Sequence, residues 1–383
     1  MAEPIISVVL QQPALAAYRV PVFAELAARP GIDLRVEYAT LPSINNVEPV
    51  GFDGVNVPMR FVRIAGRDLK WHSAQWRPAG GGCDVLILSA DLHYVSLVPA
   101  LMRARRHGVG TVLWSHGYSK VPSKWSSKVR TRINHMADAV MCYNNIAAEQ
   151  WRGQLGSDRV FVALNAIDQQ PIQAARSYWL ARPDDLQAFA HGRGLADGPV
   201  LLFVSRLKPR NRLELMVESI ARLKNRWPGI KGVMIGSDGD YANGLKRLAA
   251  ERGVSDRLIL PGPIFDQMEL APWFLNAQLF CYPAQIGLSI LHAFGYGLPV
   301  VTDDHPTLQN PELEALQSGV NGMQYSAGDA DALAELIDTL LADTENLQAM
   351  GKAAHRTATE QFTLSGMVDG MVAAIESASG NWR

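Results

Sequence analysis

At 383 residues the chain is too long for one average core and suits two domains, and with 48% hydrophobic against 19% charged residues it can bury those cores, which excludes wholesale disorder. A formal net charge of -1 argues against a general nucleic-acid binder. The average conceals an asymmetry: residues 1–180 hold 19 Lys+Arg against 13 Asp+Glu, the remainder 17 against 24, so the N-terminal half is basic and could face an anionic acceptor or membrane surface.

The apolar run at 5–10 (IISVVL) predicts a buried parallel strand, followed by a loop carrying Tyr18 and Arg19 and a helix over 21–28. A strand is expected at 33–38. Residues 40–75 are polar and punctuated by Pro and Gly, with one strand at 59–64. Then come a strand at 84–88, a helix over 95–106, and a strand at 111–114 that delivers Ser115-His116-Gly117 to its carboxyl end. Strands at 139–142 and 160–163 flank a helix over 146–155. Alternation of this kind predicts a parallel sheet covered on both faces.

Residues 169–198, with Pro171, Pro183 and a helical patch at 172–180, read as a connection between domains. A second alternation follows: strands at 200–204, 232–235, 258–260, 277–282 and 299–302, with helices over 212–225, 242–252, 268–275 and from 288, then helical segments at 312–317, 331–341 and 347–361. A final amphipathic helix covers 363–378. The fold class is therefore α/β, with two doubly wound Rossmann-like domains facing a cleft: 1–168, a linker at 169–198, 199–362, and a C-terminal helix at 363–383 that could pack on the N-terminal domain. Ligands in such sheets sit beyond the carboxyl ends of the strands.

Cys83, Cys142 and Cys281 are far apart and form no CxxC or Cys/His cluster, so a zinc site is not expected and a reduced, cytoplasmic setting is. Residues 5–10 lack a basic leader and are too short for a signal peptide, and no apolar run approaches a membrane span, so any membrane contact is expected to be peripheral.

Two stretches point to chemistry. At 282–301 (YPAQIGLSILHAFGYGLPVV) a strand meets a glycine turn and then a helix N-terminus, whose unpaired N–H groups and positive dipole end suit a phosphate. At 204–220 (VSRLKPRNRLELMVESI) basic residues gather just past another strand, where guanidinium forks can grip a diphosphate. Either alone also reads as ordinary punctuation or a solvated loop.

Together with VFVALNAID at 160–168 and PELEALQSGVNG at 311–322, these stretches resemble the GT-B glycosyltransferases of family 4. The resemblance covers most of the C-terminal half. It implies a retaining hexosyltransferase that moves a sugar from a UDP- or GDP-sugar to a glycan or lipid-linked acceptor in cell-surface polysaccharide synthesis, needing no metal and no other cofactor. It implies Arg206 on the donor diphosphate, with Arg210 as substitute for the family's Lys, whose position holds Asn211. Backbone N–H groups of Gly287, Leu288 and Ser289 would also meet the phosphates, and Pro263 and Ile264 the nucleotide.

The family's two glutamates fall on Ala284 and His292. A neutral imidazole at His292 could take over the ribose contact, or be a core histidine; nothing at Ala284 replaces a carboxylate. His116 matches the histidine that orients the sugar in the family, and Tyr18, Arg19 and Lys120 are placed on the acceptor side. The basic residues between Lys120 and Arg132, interleaved with Trp125, suit an interfacial surface as well as a solvated helix. Asp238-Gly239-Asp240 reads as a turn and not as a metal site. A non-catalytic nucleotide-sugar-binding protein on this fold is the alternative that the missing glutamates suggest. A phosphorylase or epimerase would need a pyridoxal lysine or an acid/base pair that the sequence does not offer.

Overall fold

The computed structural model describes residues 5–41, 44–64, 67–115, 124–237, 239–305 and 307–380. They divide into two compact units, Met1–Asp168 with Leu364–Arg383, and Gln169–Thr363.

The first unit is built on seven parallel strands: β1 (Ile6–Gln12), β2 (Ile32–Tyr38), β3 (Asp53–Asn56), β6 (Val85–Ser89), β7 (Gly110–Ser115), β8 (Ala139–Cys142) and β9 (Val160–Val162), in the order β3-β2-β1-β6-β7-β8-β9. An antiparallel hairpin, β4 (Met59–Ile64) with β5 (Arg67–His72), stands apart from it. The hairpin, like β3, lies in the Pro/Gly-punctuated segment from which only one strand was expected. β6 and β7 are buried along nearly their whole length, because helices cover both faces and a central parallel strand has no solvent side.

One of those covers is the last helix of the chain, Leu364–Gly380. Its Met367, Val368, Met371, Ala374, Ile375 and Ala378 are buried in one core with Val8, Val112, Met141 and Ala163. Arg29 fixes its start by an ion pair to Asp369 (2.8 Å) and a hydrogen bond to Ser365 Oγ (3.0 Å). The helix lies close enough that a Cβ on Gly370 would sit 1.9 Å from the Val162 carbonyl oxygen, and one on Gly110 would sit 2.5 Å from that of Ala378.

The second unit has six parallel strands: β10 (Val200–Val204), β11 (Lys231–Ile235), β12 (Leu258–Gly262), β13 (Leu279–Cys281), β14 (Val300–Asp303) and β15 (Gly322–Tyr325), in the order β12-β11-β10-β13-β14-β15. The order runs outward in one direction from β10 and in the other from β13, so the topological switch point lies between these two neighbours. Acidic and amide residues start the helices around the sheet: Asp266, Asp329 and Asp343 accept backbone N–H bonds at their N-termini.

Residues 169–198, expected as a linker, form two helices of this unit, Gln170–Leu180 and Pro183–Gly192. The prolines that suggested a connection occupy the first turn of each helix, where a missing N–H costs nothing. Gln173 Nε2 donates to Gly295 O (2.9 Å), Trp179 Nε1 to Met268 O (2.9 Å), and the Phe189 ring meets Trp273 edge-on at 5.1 Å. The segment expected as helical at 312–317 is a single 3-10 turn, Pro311–Ala315.

Because the atom facing Gly370 is backbone, relief requires the whole helix to shift. Gly370→Val is expected to lower unfolding free energy by roughly 1–3 kcal/mol or more, read as a fall in the denaturant midpoint; an unchanged midpoint would show that the helix does not seat against β9.

Candidate functional site

The two stretches singled out in the sequence leave the sheet at the switch point, one from the carboxyl end of β10 and the other from that of β13. They are fastened to each other. Tyr282, just past β13, has its hydroxyl 2.8 Å from Asn211 Nδ2, which donates to it, and 3.5 Å from Ser205 Oγ, and its ring packs on Phe203 at 4.7 Å. Ser289 Oγ donates back to the Val204 carbonyl (3.3 Å).

The glycine turn is held by side chains from further along the chain. Gln285 stands at φ 58°, a left-handed conformation that non-glycine residues rarely adopt. Asn310 Nδ2 donates to the carbonyls of Gln285 (2.8 Å) and Ile286 (3.0 Å), the Ile286 N–H donates to Gln309 Oε1 (3.1 Å), and Tyr325 OH donates to Pro283 O (2.8 Å). These bonds turn Gly287, Leu288 and Ser289 into the entry of the helix Ser289–Gly295. All three are half-buried, and first-turn N–H groups have no intrahelical acceptor.

On the β10 side, Arg206 and Arg210 are exposed. Both guanidinium groups are near enough to Tyr282 to offset part of the rise that burial imposes on its phenol pKa. Asn211, where the resemblance puts a lysine, is buried; its Oδ1 accepts from the Lys208 N–H (3.1 Å) while its amide holds Tyr282. Arg212 is tied to Glu214 at 2.5 Å, which raises its pKa, so Arg210 is the better placed of the two flanking arginines.

His292 lies inside the second unit. Its ring packs on Phe274 (4.7 Å) and Tyr296 (5.8 Å), and Nε2 is 2.9 Å from Gln267 Oε1. Burial holds its pKa down at about 4, so the ring is neutral at pH 7. Those partners are those of a packed core histidine. Pro263 is exposed and Ile264 half-buried just beyond the carboxyl end of β12, two strands from the switch point.

The segment after β14 contributes a residue to which the sequence reading gave no role. Glu312 is buried, and a side-chain carbon added at Gly287 would lie 3.8 Å from its Oε2. Ala284, at the family's carboxylate position, is buried too. A carboxylate thus does stand beside the turn, supplied from the PELEAL stretch. The available signal was the pair Glu312 and Glu314 in the 3-10 turn, of which only Glu312 is buried.

In the first unit, His116 and Lys120 lie outside the described residues, as does Asp238 in the second. Tyr18 is exposed. Arg19 is buried, its guanidinium over the rings of Trp114 (4.8 Å), Tyr143 (5.2 Å) and Tyr18 (5.1 Å) and donating to Asn165 Oδ1 (3.0 Å). Arg19 therefore braces the ends of β7 and β8 from within; a guanidinium stacks on aromatic faces more readily than an ammonium does.

Comparison with known proteins places this geometry. The structure of the Anabaena protein HepE in complex with UDP superposes with a TM-score of 0.73 at 16% identity, over 97% of this chain and 100% of that one. Residues 189–357 match the model of the family described as glycosyl transferases group 1. Residues 189–357 carry that family's domain, and the chain as a whole has the fold of the GT-B glycosyltransferases. Among the relatives of this glycosyltransferase is a GDP-mannose-dependent alpha-(1-6)-phosphatidylinositol monomannoside mannosyltransferase of Mycolicibacterium smegmatis, 25% identical over 68% of each chain. Another is the lipopolysaccharide core biosynthesis glycosyltransferase LpsE of Rhizobium meliloti, 27% identical over 48% of this chain and 51% of its own. A D-inositol 3-phosphate glycosyltransferase of Frankia alni is 31% identical over 48% of this chain and 45% of its own. The matched regions of most of these relatives span about half of their own length.

The packing of His292 sets a pH dependence on the glycosyltransferase. Its folded pKa is below the ordinary value of 6.5, so the unfolded chain takes up the proton first as pH falls. Stability from this group is complete above pH 6.5 and declines as pH drops toward 4, by about 3 kcal/mol in all. His72, buried and likewise held at about 4, adds a parallel slope. His292→Phe should flatten the stability profile between pH 6.5 and 4.5 by close to one proton, measured by urea unfolding; an unaltered slope would place the imidazole in water.

Proposed function

We propose that this glycosyltransferase is retaining, takes a sugar from a UDP- or GDP-linked donor, and delivers it to a glycan or lipid-linked acceptor in the making of cell-surface polysaccharide or glycolipid. The observation that supports the reading most directly is the junction at the switch point, where Arg206, Arg210 and the Gly287 turn are brought to the ends of two adjacent strands. A diphosphate leaving group gains negative charge as the glycosidic bond breaks. Guanidinium groups and backbone N–H groups fixed in advance stabilise that charge without reorganising.

In this reading no enzyme nucleophile is used. The leaving diphosphate takes the acceptor proton on the face from which it departs, so the new bond keeps the old configuration. Glu312 stands in for the carboxylate missing at Ala284 and accepts hydrogen bonds from donor sugar hydroxyls. His116, which matches the family's histidine, takes the same positioning role toward the sugar in this reading. Pro263 and Ile264 flank the base, and His292 supports the donor helix through its packing with Phe274 and Tyr296. No metal is needed, because the two arginines and the helix entry carry the charge that a cation would.

The activities for which the relatives are named support a lipid-linked acceptor, since they include a phosphatidylinositol monomannoside and lipopolysaccharide core. They name GDP-mannose, whereas the solved structures include UDP and UDP-glucose complexes, so both bases belong in the assay. No helix among the described residues is long and apolar enough to cross a membrane, and the basic N-terminal half suits peripheral contact at the cytoplasmic face.

Arg206→Ala and Arg210→Ala are each expected to weaken UDP or GDP binding about tenfold or more, roughly 1.5–3 kcal/mol per charge-assisted contact, with the melting temperature kept. Calorimetry reads this directly; unchanged affinity in both would move the diphosphate elsewhere. Glu312→Gln should lower kcat with the cognate sugar nucleotide while nucleoside diphosphate affinity stays within twofold. An equal loss with the bare nucleotide would make Glu312 a support of the turn and not a sugar ligand.

A further inference from the structure

A cavity of about 900 Å³ opens in the second unit at the amino ends of β13 and β14, the end of these strands opposite the Gly287 turn. Its floor is Ala277 and Gln278, which enter β13, and Leu298 and Pro299, which enter β14. One wall is a single face of the helix Thr344–Arg356: Thr344, Leu347, Gln348, Gly351, Lys352, His355 and Arg356 recur at helical spacing of three and four. The opposite wall brings Arg176 from the helix Gln170–Leu180.

A helix face turned toward its own protein is ordinarily apolar. Here its last two turns carry Lys352, His355 and Arg356, and no aspartate or glutamate lines the cavity among the described residues. Basic residues near a helix C-terminus do complement the macrodipole, but that accounts for neither Arg176 on another helix nor the open volume. The helix that carries Lys352 and Arg356 is seated by its backbone. A Cβ on Gly351 would lie 2.6 Å from the Gly297 carbonyl oxygen, so the helix rests directly on the chain entering β14. Arg176 Nε donates to Tyr296 O (3.3 Å), using one of its five donors, and His355 Nε2 lies 2.8 Å from Gln173 Oε1. Burial and then the Arg176 charge hold the His355 pKa down, against a smaller opposing effect of Glu360.

We propose that this cavity is a second anion site, which takes a phosphate ester: Arg176, Lys352 and Arg356 hold the phosphate, Thr344 and Gln348 its polar substituents, and Leu298 and Leu347 its carbon body. Arg176, held at Tyr296 O, and the exposed Lys352 and Arg356 line one cavity with no acid in its lining, a positive potential that a bound phosphate relieves, and the volume falls in the range of small-molecule sites. Its place at the opposite end of the strands separates it from the donor turn. The same chemistry is offered by a free phosphate ester and by the headgroup of an anionic phospholipid.

Calorimetry on the full chain with sn-glycerol 3-phosphate, and flotation with phosphatidylglycerol or phosphatidylcholine vesicles, distinguish these sources. Wild-type protein and Arg206→Ala are expected to bind the probe equally, and Lys352→Gln/Arg356→Gln at least tenfold more weakly with an unchanged melting temperature. Arg176→Gln serves as an independent variant expected to show the same loss. Binding of glycerol phosphate without flotation identifies a soluble ligand. Flotation with phosphatidylglycerol alone, abolished in the double variant, identifies the headgroup. The inference is overturned if neither probe binds, if binding survives in both sets of cavity variants, or if Arg206→Ala abolishes it.

Discussion

The donor site proposed for the second unit depends on one buried junction, the contact of the Tyr282 hydroxyl with Asn211 and Ser205. A phenol taken out of water must find partners or forfeit the free energy of its lost hydration, and the partners here come from the loop after the neighbouring strand. The bond therefore fixes the distance between two chain segments that are 71 positions apart in sequence. Arg206 and Arg210 flank that bond on one side and the Gly287 turn follows it on the other. Asn211, where the resemblance puts a lysine, serves as a structural tie.

The turn itself shows how a strained backbone is kept. A left-handed Gln285 costs of order 1–3 kcal/mol, and a loop free to relax would relax. Asn310, Gln309 and Tyr325, all delivered by β14 and β15, bond the carbonyls and N–H groups on either side of it. The same segment brings Glu312, so a single excursion from the sheet supplies both the brace and the carboxylate.

Much of the fold was legible in the sequence because short runs such as VLIL and VLLFV allow no other reading between helices of ordinary amphipathicity. What was not legible has physical causes. β3, β4 and β5 sit where polar residues dominate, and a hairpin away from the main core leaves a weak periodic signal. The helical patch at 172–180 was read as part of a connection, and the helix at 183–192 was missed, because prolines mark helix starts as often as linkers. At the site, the two arginines and the glycine turn were singled out by their position after strands, whereas Ala284 and His292 stood out only through the resemblance, which puts carboxylates there. That Asn211 faces inward, that Arg19 is stacked on three aromatic rings, and that Glu312 reaches Gly287 depend on contacts between distant segments, to which local pattern is blind.

The return of the last helix to the first unit also fixes an order of events. When residues 1–168 have left the ribosome, the core formed by Val8, Val112, Met141 and Ala163 still lacks six of its buried side chains, from Met367 to Ala378. Nearly two hundred residues of the second unit must be synthesised before that surface can be covered. Until then the apolar face that the helix covers in the finished fold has no cover of its own from residues 1–168.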